Sequence, residues 1–221
     1  MSSAAAGADA PVAVFIEAGR KRVFACALDW PGWARSARTE QLALETLTDY
    51  LPRYAPVARR AGVTPPGTEL AVAERAEGTA GYTDFGVPGI VAGHDRRPLT
   101  AADGERAAAL LEACWAELDQ VAAGAPETLR KGPRGGGRDR DQILEHVIGA
   151  EAAFARKLGV RPSGRPSLAD QAATAAMRAA ITAALRAAPA GLAGGWPARY
   201  AVRRIGWHVL DHAWEIVDKS R

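Results

Sequence analysis

Three of the four histidines in this 221-residue chain stand where they could share one metal ion. His208 and His212 are four residues apart, so on a helix they lie one turn apart on the same face. Ile205 and Ile216 belong to the same stripe, which predicts that this face points into the protein. Two imidazoles placed in this way can bind one metal ion, which is why the H-x-x-x-H spacing recurs in metal sites.

His146 lies on the apolar face of an earlier predicted helix, three residues after Ile143 and beside Val147. Two inward histidines on one helix and a third on another can meet inside a bundle. Three histidines with an open position make a catalytic type of metal site, whereas a closed structural zinc site needs a fourth ligand. Imidazole suits zinc, nickel, copper or iron. The alternative interpretation is three ordinary, hydrogen-bonded core histidines.

Four amphipathic helices are predicted after residue 100, where the composition shifts toward helix formers. Their apolar residues recur at helical spacing. The predicted spans are 100–121, 138–158, 167–188 and about 197–219. Thr100 and Asp103 suit a capping box, Gly159 suits a helix C-terminus, and Pro197 suits a first turn. Four helices of about 20 residues predict a helix bundle over 100–221.

The first part of the chain predicts a small α+β module over residues 11–90, in the order strand, strand, helix, strand. Val12, Val14 and Ile16 alternate as in a half-buried strand. The second predicted strand spans 22–30 and the third spans 69–76.

The helix between them is predicted to begin after Thr39, a residue suited to an N-cap. Pro52 and Pro56 predict that it is kinked or divided in two. Residues 77–99, rich in Gly and Pro, predict a loop and linker that could carry a short strand. Residues 1–10 predict a disordered tail.

The last predicted helix resembles the final helix of DinB/YfiT-like four-helix-bundle proteins, on the segment 203–215 with its two histidines. The segment 141–154, which contains His146, resembles the helix that supplies the first histidine of that family. The resemblance covers about residues 100–221. It implies that His146, His208 and His212 bind a divalent metal, commonly zinc or nickel. The family includes thiol-dependent transferases and isomerases that use bacillithiol or mycothiol, and many members without an assigned activity.

A weaker resemblance concerns the first module. Its element order and the turn Asp29-Trp30-Pro31-Gly32-Trp33 are similar to HicB-like domains, which are often antitoxins. The alternative is a small α+β cap beside the bundle.

A basic, Gly-rich segment over 130–141 contains five basic and two acidic residues, which gives it a net charge of +3. Such a loop before a helix could hold an acidic substrate or the carboxylates of a thiol cofactor, and a solvated loop is the alternative. It lacks the ending of a phosphate-binding P-loop. Nucleic-acid binding is not expected, because no aromatic residues or wider basic face accompany it.

Several other side chains of the predicted bundle have alternative interpretations. Cys114 lies on the apolar stripe of its helix, which predicts a small, buried packing residue. Glu151 could act as a base and Glu215 could orient His212, or both could be solvated. Trp207 and Trp214 could line a pocket or pack between helices.

Composition excludes several classes of protein. No run approaches the roughly 20 apolar residues of a membrane span, and the first residues do not form a secretory signal. Two distant cysteines predict a reduced, cytoplasmic setting without a disulfide framework. The mild net charge of +3 implies neither nucleic acid nor membrane binding.

The sequence therefore predicts an α+β chain in which a metal centre acts on a small molecule. A mycothiol-type thiol transferase with a small electrophilic substrate is the first expectation, and metal-assisted hydrolysis is the second. A regulatory or interaction protein with a HicB-like partner-binding module is the non-enzymatic alternative.

Overall fold

The computed structural model describes residues 10–133, 135–187 and 195–220. Within them the chain is α+β, as the sequence predicts: four strands lie before residue 78, and four long helices follow residue 100. Except for residue 10, the predicted tail lies outside the described residues. No helix in the described ranges has the length and apolar character needed to cross a bilayer.

One sheet contains the four described strands in the order β3-β2-β1-β4. They are β1 (Val12–Ala18), β2 (Val23–Ala27), β3 (Ala34–Ala37) and β4 (Leu70–Glu77). β1 pairs antiparallel with β2 and parallel with β4. The three predicted strands are confirmed, and β3 is additional. Its sequence Ala-Arg-Ser-Ala has no apolar alternation, and its pairing with β2 makes it a strand.

Two short helices lie between β3 and β4 in the chain, α1 (Glu40–Asp49) and α2 (Leu51–Arg60). The Thr39 hydroxyl caps α1 by accepting a hydrogen bond from a main-chain N–H, as predicted. The division falls at Tyr50, next to the first turn of α2, where Pro52 cannot donate to the preceding turn. Pro56 is tolerated inside α2.

Both faces of β1 and β2 are covered. Val14 and Ile16 belong to the main buried cluster, together with apolar residues of α1 and α2. Phe15 and Phe24, on the opposite face, pack with Trp207 from the last helix. The continuous burial of these strands follows from this two-sided packing.

The bundle contains α3 (Ala101–Gly124), α4 (Arg140–Lys157), α5 (Gln171–Arg186) and α6 (Ala198–Lys219). α6 packs against α3 and α4, and α5 packs against the same two helices from the other side. The predicted capping box at Thr100 and Asp103 is present, and Gly159 ends α4 with a φ of 80°. Because α4 and α6 are neighbours, residues on their facing sides can meet.

The predicted loop over 77–99 has no strand after Glu77 and contains a short 3₁₀ turn, His94–Arg96. Buried charged side chains form hydrogen bonds that hold this segment against the rest of the fold. The Glu17 carboxylate accepts hydrogen bonds from the Gly89 and Ile90 N–H groups at 3.1 and 3.0 Å. This segment therefore packs against the sheet.

The turn at Pro31 and Gly32 packs directly against α6. Gly32 has a φ of 94°, a conformation that favours glycine. A Cβ added to Gly206 would lie 2.9 Å from the Gly32 nitrogen and 3.0 Å from the Pro31 carbonyl carbon. The absence of a side chain at Gly206 therefore lets the turn contact the helix that carries two of the histidines.

One cluster of buried apolar side chains includes residues of the sheet, of α1 and α2, and of all four bundle helices. The division into a module over 11–90 and a bundle over 100–221 stays a prediction. Residues of both ranges belong to this one buried cluster.

Candidate metal centre

The three predicted ligands come together between α4 and α6. His146, His208 and His212 each offer one ring nitrogen, and these nitrogens all lie within 4.8 Å of one another. We call these residues the histidine cluster. The ring centroids of His208 and His212 are 4.7 Å apart, and that of His146 lies 5.1 and 5.0 Å from them.

The spacing of one pair of nitrogens fits a shared ion. Nε2 of His146 lies 3.2 Å from Nε2 of His208. Two imidazole nitrogens bound at about 2.0–2.1 Å to one tetrahedral ion would lie roughly 3.3 Å apart. Nδ1 of His208 is buried and has no hydrogen-bond partner in the described part of the chain. No described protein group outside the cluster therefore competes for the ring nitrogens of His208.

A carboxylate orients His212. Nδ1 of His212 lies 2.7 Å from Oε2 of Glu215, one turn further along α6. This contact places a proton on Nδ1 and leaves the Nε2 lone pair for a ligand bond. Hydrogen bonds from His212 and from Lys219 hold the pKa of Glu215 at about 2, so the carboxylate stays ionised. The orienting role considered for Glu215 thus matches its position.

The surroundings of the cluster favour neutral imidazoles. Burial lowers the pKa of His208 well below its usual value, and the nearby His212 and Arg204 act in the same direction. Burial, together with the charge of Arg138, also lowers the pKa of His146. Neutral imidazole is the form that binds a metal, so neither ring must lose a proton at neutral pH.

Aromatic side chains near the cluster serve packing. The Phe154 ring meets His208 edge-on at 5.7 Å. Trp207 contacts His208 at 6.2 Å and also packs against Phe24 of the sheet. Trp214 packs against Tyr50 at 5.1 Å. Packing between elements accounts for both tryptophans, and Trp207 also borders the cluster.

Arg138, in the basic segment over 130–141, lies near the cluster. Lys131 contacts Asp139 at 2.6 Å, and Asp139 caps the start of α4. Arg138 is exposed, and its charge acts on two of the clustered histidines. Arg134 lies outside the described residues. Positive charge is therefore available at the edge of the candidate site.

Glu151 is fully buried, which corrects the expectation of a solvated side chain. Its carboxylate accepts a hydrogen bond from Trp115 Nε1 at 2.7 Å and one from Arg178 at 3.1 Å. Burial raises the pKa of Glu151, and Arg178 opposes that shift. These partners lie on α3 and α5, so Glu151 joins a polar contact inside the bundle and not the histidine cluster.

Both cysteines are buried and free. Burial raises the pKa of the Cys26 thiol to about 12. Burial also raises the pKa of Cys114, whose sulfur lies 3.8 Å from the Pro31 carbonyl oxygen. Neither residue has the exposure or the lowered pKa of a reactive thiol.

The adjacent arginines Arg203 and Arg204 were not singled out by spacing, yet both are buried just before His208. Arg203 contacts both carboxylate oxygens of Asp95, at 3.0 and 2.5 Å. Two consecutive arginines within the buried stretch 200–210 are a signal, but a partner 108 residues away cannot be predicted from local spacing.

A cavity of about 890 Å³ lies between α3, α4 and α5. Leu144 and Ile148 line it. Each is two residues from His146, which places it about 200° around the helix. The cavity and the histidine cluster therefore lie on opposite sides of α4.

Comparison of the chain with protein-family models, with curated proteins and with solved structures found no match.

Proposed function

We propose that this chain is a metal-dependent enzyme of the DinB-like type. His146, His208 and His212 hold one divalent ion, zinc or nickel, and a mycothiol-type thiol is transferred to a small electrophilic substrate. One observation carries the proposal: three imidazoles from two helices meet with their ligand nitrogens within 4.8 Å of one another, and the His146–His208 pair lies 3.2 Å apart. Three protein ligands leave a position open, as in catalytic zinc sites.

The bound metal would lower the pKa of a thiol or water at that position and make it a nucleophile at neutral pH. Glu215 keeps the proton of His212 on Nδ1 and fixes the direction of its ring. Phe154 and Trp207 give one side of the cluster an apolar boundary. Arg138 attracts anionic groups to its edge.

Metal-assisted hydrolysis is the second candidate, because the same open position accepts water. The two candidates differ in one measurable property, which is whether a low-molecular-weight thiol binds only when the metal is present.

Metal content tests the site itself. The purified protein is expected to hold close to one divalent ion per chain by elemental analysis, and His208→Ala should lose most of it. His94 is the matched control, since its Nε2 contacts Asp29 at 3.1 Å and it lies outside the cluster. Full occupancy in His208→Ala, or equal loss in His94→Ala, would contradict the assignment.

Calorimetry with mycothiol then tests the activity class. Binding is expected for the zinc-loaded protein and not for the protein stripped with a chelator, and His212→Ala should abolish it. Metal binding without thiol binding would leave hydrolysis as the candidate. Absence of both would favour the non-enzymatic alternative with a HicB-like module.

A further inference from the structure

We infer that Arg204 binds a carboxylate of the small molecule that reaches the histidine cluster. The inference rests on the proposed function and names its substrate class: a small carboxylic acid, supplied either as the thiol or as its acceptor. Arg204 is a buried arginine that has no anionic partner among the described residues.

Arg204 and its neighbour Arg203 are both buried, at 9% and 5% exposure, but their surroundings differ. Arg203 has the bidentate ion pair with Asp95. No carboxylate of the described residues forms an ion pair with Arg204, and one of its terminal nitrogens, Nη1, is buried without a hydrogen-bond partner. A buried charge without a partner destabilises a fold. A bound anionic ligand would offset the cost of burying the Arg204 guanidinium.

The polar groups near Arg204 form hydrogen bonds with other parts of the chain. Tyr200 lies close to Arg204, and its hydroxyl donates to the Gly89 carbonyl oxygen at 3.0 Å. Glu17 attracts Arg204 at longer range, but its carboxylate accepts hydrogen bonds from Thr83 and from main-chain N–H groups. The guanidinium therefore keeps unfilled capacity for an anion.

Two aromatic rings hold the guanidinium next to the cluster. Its central carbon lies 5.1 Å from the Phe154 ring centroid and 4.7 Å from that of Trp207. Both rings also contact His208. Stacked guanidinium groups present their N–H donors at the edge of the plane, which suits bidentate binding of a carboxylate.

The spacing along α6 sets the size of the ligand. Arg204 precedes His208 by four residues, which corresponds to about 6 Å along the helix axis on the same face. A molecule with a metal-binding group and a carboxylate two or three atoms apart can reach both. The open position and Arg204 thus form two ends of one binding site.

Calorimetry on the zinc-loaded protein tests this with two matched probes, 3-mercaptopropionate and its neutral amide, 3-mercaptopropionamide. The wild-type protein is expected to bind the acid roughly 10- to 100-fold more tightly, the range for a hydrogen-bonded charge pair. Arg204→Gln should bind both probes equally. Arg199→Gln is the control, because it removes the same charge from α6 but at a guanidinium already paired with Asp103.

Thermal melting excludes a purely structural role. Arg204→Met removes no ion pair, so the protein is expected to melt no lower than wild type. Arg203→Met strands Asp95 and should lower the melting temperature by roughly 6–20 °C.

Equal affinity of the two probes in the wild type would overturn the inference and leave the proposed function standing. Absence of thiol binding to zinc-loaded protein would overturn both. A melting loss in Arg204→Met as large as in Arg203→Met would assign Arg204 to the fold and overturn the inference alone.

Discussion

Gly206→Ala should destabilise the protein even though alanine favours a helix. Gly206 lies inside α6, where replacement by alanine would by itself stabilise by roughly 0.8–1 kcal/mol. The new Cβ, however, would lie 2.9 Å from the Gly32 nitrogen. That is roughly 0.6 Å closer than the ~3.5 Å at which non-bonded heavy atoms attract each other.

The contact is with backbone on the turn side, so it cannot be relieved by a rotamer change. Overpacking of this kind costs about 1–3 kcal/mol. Subtracting the gain in helix propensity leaves a net loss of about 0–2 kcal/mol, or a fall in melting temperature of up to roughly 8 °C. Because α6 must shift to accept the methyl group, zinc affinity should fall as well.

Gly149→Ala is the matched control. Gly149 lies inside α4, and a Cβ there would meet no atom of the described residues within 4 Å. This variant should gain only the stabilisation from the higher helix propensity of alanine. It should melt about 2–4 °C higher, with unchanged zinc affinity. The assays are melting by circular dichroism and zinc titration against a chromogenic chelator. If Gly206→Ala stabilised the protein as much as Gly149→Ala, the close approach of the turn to α6 would be refuted.

Further predictions concern the thiols, the carboxylate beside the cluster and the shared core. Cys26 and Cys114 should resist alkylation at pH 8 until the protein is unfolded, since burial raises the pKa of both thiols; mass spectrometry of the native protein detects any early labelling. Glu215→Gln should weaken zinc binding about 10- to 100-fold in chelator competition, and an unchanged constant would remove its orienting role. A chain beginning at residue 97 lacks part of the common core and should not melt cooperatively by circular dichroism, whereas a cooperative transition would show that the bundle folds alone.

The histidine cluster could be predicted because the pattern that places its side chains is local. The separation of four residues between His208 and His212 places both on one helix face, and His146 shares a stripe with the buried Ile143 and Val147. Helix ends such as the one at Thr100 could also be predicted, because a capping box depends on a residue only three positions away. Local patterns did not predict which helices are neighbours in the bundle. In the structure α4 lies beside α6.

The features that the sequence did not predict all depend on distant partners. β3 exists because it pairs with β2, and its own four residues carry no strand pattern. Glu151 looked like a surface residue, yet Trp115 and Arg178 supply hydrogen bonds that let it be buried. Burial of a charged group is decided by its tertiary partners, which neither composition nor periodicity reveals.

The histidine cluster depends on the first part of the chain through α6. The Pro31–Gly32 turn contacts this helix at Gly206, Phe24 packs against Trp207, and the 77–99 segment holds it through the Asp95–Arg203 pair. His208 and His212 therefore have their position fixed from the sheet side. His146 approaches them from α4, which packs on α5 and α6. A module over 11–90 would then contribute to metal binding whether or not it binds a partner, because it determines where two of the three candidate ligands lie.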